Sequence, residues 1–76
     1  MNDDGEVVAR LGVRIRQLRQ QRGWTQDRLA AEAAVHRNYL GGVERGERNP
    51  TITSVARIAK ALEVPIATLF EETDGD

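Results

Sequence analysis

Arg37 and Asn38 stand side by side at the opening of a short stretch of helical spacing, and their side chains are well suited to reading nucleobase edges. An arginine fork matches the O6 and N7 acceptors of guanine, and an asparagine carboxamide matches the N6 donor and N7 acceptor of adenine. Base reading is expected of both, with phosphate contact or plain solvent exposure as the alternatives. Residues 10–48 hold nine arginines against Asp27, Glu32, Glu44 and Glu47, a net +5, whereas residues 1–9 and 49–76 carry −3 each. The total of −1, taken whole, argues against a nucleic-acid partner; its segregation reverses that conclusion. Every cation of the central stretch is an arginine, the residue whose planar fork grips phosphates and guanine edges at two points.

Enzyme chemistry has no comparable support. The 76 residues contain no cysteine, a single histidine (His36), no phosphate-binding glycine loop and no convincing carboxylate dyad; Asp3 and Asp4 read as a solvated tail. No catalytic residue, metal or cofactor is expected, and His36 fits a helix cap or a phosphate contact better than a ligand role. The lack of cysteine fits a reducing compartment. Apolar runs of only a few residues are too short for a membrane span or a signal-peptide core, so no membrane partner and a cytoplasmic, nucleoid-associated location are expected.

Five helices are expected to position these groups, with no strand, repeat or linker: an all-α, single-domain chain over 1–76, its acidic ends 1–5 and 71–76 frayed. Val8, Leu11, Ile15 and Leu18 follow helical spacing, which predicts a first helix from about Glu6 to Arg22, stopped at Gly23. Trp24 plugs the junction that follows. Thr25 caps a second helix over about Gln26 to Ala33, with Leu29, Ala30 and Ala33 on its inner face. After a turn at Ala34-Val35, a third helix begins near His36. Tyr39, Leu40 and Val43 lie on its one side, and Arg37, Asn38, Gly41 and Gly42 on a thin polar one. The two glycines are costly in a helix, about 1 kcal/mol each relative to alanine. Either a close backbone approach to a duplex or a loosely wound helix end explains them. Thr51 caps a fourth helix with an apolar stripe of Ile52, Val55, Ile58, Ala59 and Leu62, and Pro65 opens a fifth with Ile66, Leu69 and Phe70.

So small a chain buries only roughly 60% of its unfolded surface and gains from association. Ile66, Leu69 and Phe70 exceed what the core can enclose and are expected at a homodimer surface; closing the monomer core is the alternative. A dimer would set two recognition helices about 34 Å apart, to match an inverted repeat with half-sites about one helical turn apart.

Several strings, among them Gly23-Trp24-Thr25-Gln26, Leu29-Ala30, Val43-Glu44-Arg45-Gly46 and Ile58-Ala59-Lys60-Ala61-Leu62, resemble the Xre or Cro/C1-type helix-turn-helix regulators over roughly residues 8–70. Within that family, Arg37 to Gly46 is most similar to the small controller proteins of restriction–modification systems, which are dimeric regulators of their own operon. Two departures stand out: Ala34 where the family usually has glycine, and His36 where a serine or threonine cap is usual. The resemblance implies an ion pair between Arg19 and Glu44 that ties the third helix to the first. It also implies a Tyr39 whose ring packs inward while its hydroxyl reaches a phosphate, a purely structural tyrosine being the alternative. Gln26, at a helix N-terminus that attracts anions, is expected on a phosphate. Arg48 and Asn49, in the loop after Gly46, with Arg45 a weaker candidate, are expected beside the backbone of the same half-site, a solvated loop being the alternative.

The function expected from these readings is sequence-specific binding of double-stranded operator DNA through the major groove, with RNA polymerase as a further partner. An antitoxin or protein-binding adaptor on the same scaffold is the alternative, and a long additional segment for wrapping a toxin would favour it.

Overall fold

A computed structural model describes residues 4–71, and among them the only regular elements are five helices: α1 (Asp4–Gln21), α2 (Gln26–Ala33), α3 (Arg37–Glu44), α4 (Ile52–Leu62) and α5 (Ile66–Leu69). Helix α1 begins two residues before the predicted start, so Gly5 is helical; the rest of the acidic ends predicted to fray lies almost wholly outside the described residues.

Side-chain oxygens start two of the helices. Thr25 Oγ1 accepts from the Arg28 amide at 3.0 Å, and Thr51 Oγ1 from the Ser54 amide at 3.0 Å, each satisfying a donor that the helix leaves orphaned. Four helices stop in a common way, on a residue in the left-handed region. Gly23 (φ 72°), Ala34 (φ 59°), Gly46 (φ 76°) and Glu63 (φ 62°) each turn the chain so that the following amide bonds back to a carbonyl five residues earlier. Only two of the four are glycine. At Ala34 the Cβ meets the carbonyl crowding that makes this region unfavourable for L-residues. Ala34→Gly is therefore expected to stabilise the fold by about 0.5–1 kcal/mol after the extra chain entropy of glycine is offset. In thermal unfolding followed by circular dichroism, Tm should rise by roughly 2–8 °C; a lower Tm would show that Ala34 carries no strain.

The core joins Leu11 and Ile15 of α1, Leu29, Ala30 and Ala33 of α2, Leu40 and Val43 of α3, Val55, Ile58, Ala59 and Leu62 of α4, and Leu69 of α5. Leu29, Leu40 and Ile58 are fully enclosed, and α2 packs against both α3 and α4 while α3 also packs against α1. Helix α1 approaches α3 through Gly12: a Cβ built there would stand 2.6 Å from the Glu44 carbonyl oxygen. Its absence is what lets the two backbones touch.

Three expectations are corrected. Ile52 is 77% exposed, because the apolar stripe of α4 becomes covered only from Val55 onward. Gly41 and Gly42 are buried rather than part of an open polar face. Arg45 and Gln26 lie over the first glycine and Arg48 over the second, long side chains folding back across the gap that two hydrogens leave. Leu69 is removed from the expected dimer surface, since α5 seats it in the monomer core at 0% exposure while Ile66 and Phe70 stay 44% exposed.

Candidate nucleic-acid interface

Helix α3 offers its first turn to solvent and buries its second. Leu40 to Glu44 are all buried, whereas Arg37 and Asn38 are exposed. His36 caps the helix: its Nδ1 accepts from the Asn38 amide at 3.1 Å, which requires a lone pair on that nitrogen and so the N–H on Nε2. The imidazole thus replaces the usual hydroxyl cap and leaves its far edge at the surface beside Arg37.

Arg37 is not idle in the free protein. Its Nε lies 2.7 Å from Oδ1 of Asp27, in the first turn of α2, so an ion pair crosses the turn between the two helices of the motif. Asn38 stands beside it, exposed, in the same helical turn. Together they form the polar tip of a short helix whose other side is anchored in the core.

The tip is held in place from behind. Arg19 of α1 meets Glu44, the last residue of α3, in a two-point contact, Nε to Oε2 at 2.8 Å and Nη2 to Oε1 at 2.9 Å. The remaining Nη1 of Arg19 donates to the Trp24 carbonyl at 2.8 Å. Both charged side chains are nearly enclosed, 11% and 2% exposed, so every lone pair and proton they bring inside needs a partner. Gln26 supplies one more: its Nε2 donates to Glu44 Oε1 at 2.9 Å. The carboxamide expected on a phosphate is therefore partly committed to the scaffold, and its half-buried position tethers the start of α2 to the end of α3.

Tyr39 lies at the hinge between α3 and α4. Its hydroxyl accepts from the Thr51 amide at 3.2 Å, which leaves the phenolic hydrogen available to an external acceptor. Burial pushes the phenol upward, yet hydrogen bonds with Ser54 and Thr51 and the charge of Arg48 outweigh it and bring the pKa below its ordinary value near 10. The Arg48 guanidinium sits 5.6 Å from the centre of the Tyr39 ring, within stacking range. Arg45 pairs with Glu47 at 3.0 Å on the exposed side of the loop, and Asn49 is exposed two residues further on.

Gln26, Arg45 and Glu44 share a shallow cleft with Arg16 and Arg19. Arg16 joins the candidate residues here, and its place is visible in the sequence: it lies one turn before Arg19 on α1 and so shares its face. Of the three guanidinium groups in the cleft, that of Arg19 is committed to Glu44 and the Trp24 carbonyl, and those of Arg16 and Arg45 lie beside Gln26, the first residue of α2. Ile66 opens α5 and Phe70 follows its last residue as the C-cap. Among the described residues no group of three or more His, Cys, Asp or Glu side chains could hold a metal ion, and no helix is long and apolar enough to cross a membrane.

The chain is similar in sequence and fold to known proteins. The chain is 45% identical over 66 residues to the HTH-type transcriptional regulator SutR of Escherichia coli K12, covering 86% of itself but only 37% of that regulator's length. The crystal structure of the restriction-modification controller protein C.AhdI from Aeromonas hydrophila superposes with a TM-score of 0.81 at 38% identity, over 83% of this chain and 96% of that one. A second controller, C.Esp1396I, solved as a tetramer in complex with its natural 35 base-pair operator, gives a TM-score of 0.77 at 36% identity over 84% of each chain. The family model described as helix-turn-helix matches residues 15–69, the span from the middle of α1 to the end of α5. The chain belongs to the helix-turn-helix family of Xre/Cro-C1 type.

Proposed function

We propose that this protein is a sequence-specific transcriptional regulator, a single domain that binds an inverted-repeat operator as a homodimer and resembles the controller of a restriction–modification operon. Arg37 and Asn38 read base edges in the major groove. Tyr39, Arg48 and Asn49 fix the register on one phosphate strand, with His36, Arg45 and the free edge of Gln26 beside them. The exposed pair Ile66 and Phe70 is the apolar surface for the second copy. A regulator seated at a promoter works at the nucleoid, in the cytoplasm, and meets RNA polymerase there. The observation that carries the reading is the asymmetry of α3, with a bare polar first turn on a rigidly anchored helix, in the half of the chain that holds nine arginines. The similarity to a controller solved on its operator supports it.

Two substitutions separate reading from gripping. Arg37→Ala should cost about 1–3 kcal/mol at the preferred duplex and relax the preference at one base pair. Arg48→Ala should weaken all duplexes alike and reduce the slope of log affinity against log salt by about 1. Fluorescence anisotropy titrations over a salt series measure both; equal losses on preferred and random duplexes for Arg37→Ala would remove that residue from base reading.

A further inference from the structure

An acidic side chain next to the residue that should read a base is unexpected. Asp27 is one of only four acids among the nine arginines of the central stretch, and it subtracts from the attraction to phosphate that drives binding. Yet it lies against Arg37, Nε to Oδ1 at 2.7 Å, with the two side chains 57% and 75% exposed. Its own place is favourable, since the first turn of α2 presents unpaired amides and the positive end of the helix dipole to a carboxylate. No Arg37 nitrogen makes a side-chain hydrogen bond among the described residues, so the contact with Asp27 is a close charge pair.

We propose that Asp27 is a specificity-determining residue that pairs with Arg37 close to its Nε, so that the guanidinium is drawn to one side and already partly neutralised when it meets a duplex. The inference rests on the reading under Proposed function. The two consequences act on different ligands. A guanine edge is recognised by the two terminal nitrogens in one plane, so an arginine held by charge alone keeps all its donors for the base and forfeits less rotamer freedom on docking. A phosphate is attracted chiefly by charge and accepts from many directions, so a carboxylate alongside weakens that competing contact. Asp27 therefore lowers affinity for arbitrary DNA more than affinity for the correct site.

The test is a double-mutant cycle on the full chain, with Asp27→Asn, Arg37→Ala and the pair, and Glu32→Gln as a control that also deletes an exposed α2 carboxylate. Each is titrated against a duplex selected from a random pool, the same duplex with the guanine opposite Arg37 changed, and a random duplex. The ratio of affinity for the selected duplex to that for the random duplex should fall about two- to fivefold in Asp27→Asn, the range of an exposed ion pair. Preference for the guanine should fall with it. In the Arg37→Ala background the same change should leave both ratios unaltered, as should Glu32→Gln in the wild type. A wild-type preference that survives Asp27→Asn, or a drop that persists without Arg37, overturns this inference alone. If the wild type prefers no duplex, the functional reading falls and takes the inference with it.

Discussion

Glu44→Ala is expected to lower the folding stability by about 3–5 kcal/mol, the range for breaking a buried ion pair by removing one partner. The loss comes less from the attraction given up than from what stays behind. The Arg19 guanidinium would keep its bond to the Trp24 carbonyl but lose both bonds to the carboxylate, and it is too enclosed to regain water. Gln26 Nε2 would lose its acceptor at the same time. At roughly 0.05–0.15 kcal/mol per residue, a domain of this length has about 4–11 kcal/mol in all, so the variant should be largely unfolded at 37 °C if it starts at the low end. Exchanging both Arg19 and Glu44 for apolar residues of similar volume should cost much less, because no orphaned charge remains. Urea denaturation of the single and double variants distinguishes these outcomes. A loss below about 1 kcal/mol for Glu44→Ala would mean that the pair is solvated in solution.

At Gly12 the expected sign reverses an ordinary rule. Glycine to alanine inside a helix usually stabilises by about 1 kcal/mol, since alanine is the better helix former. Here the added methyl would stand 2.6 Å from the Glu44 carbonyl oxygen and 2.9 Å from its carbonyl carbon. Backbone cannot rotate away as a side chain can, so α1 must lift from α3 and take Arg19 with it. Overpacking of this kind costs about 1–3 kcal/mol and more where backbone must shift, and Gly12→Ala belongs at the upper end. The urea midpoint should fall accordingly; a midpoint equal to or above the wild type would show that the α1 to α3 contact is loose. Gly42→Ala is the natural control, because its methyl would meet only the flexible stem of Arg48.

These two sites mark where reading the sequence succeeds and where it stops. The limits of α2 and the caps Thr25 and Thr51 are legible because they depend on hydroxyls and apolar spacing within a few residues of chain. Gly12 was passed over because its role is set by Glu44, more than thirty residues away, and nothing local marks it. Glu63 in the left-handed region ends α4 with no glycine to signal it. Ile52, Ile66, Leu69 and Phe70 all have core-like chemistry, and only the path of the neighbouring helices decides that Leu69 alone among them is enclosed. In the candidate interface the residue types were readable while their partners were not. The sequence places Gln26 at a helix start that suits a phosphate, while its bond to the Glu44 carboxylate joins residues eighteen apart and leaves no local mark. Gly41 and Gly42 looked bare because the arginines that fold over them follow four and six residues later.

If the first turn of α3 of each protomer enters the major groove of a duplex, selection of bound sites from a pool of random duplex DNA will register binding, base preference and symmetry together. An inverted repeat with half-sites centred roughly 10 base pairs apart should be enriched. Each half-site should hold a guanine whose preference disappears when Arg37→Ala is used for the selection. Recovery of no common sequence, or of a motif unchanged by Arg37→Ala, would contradict this placement of α3.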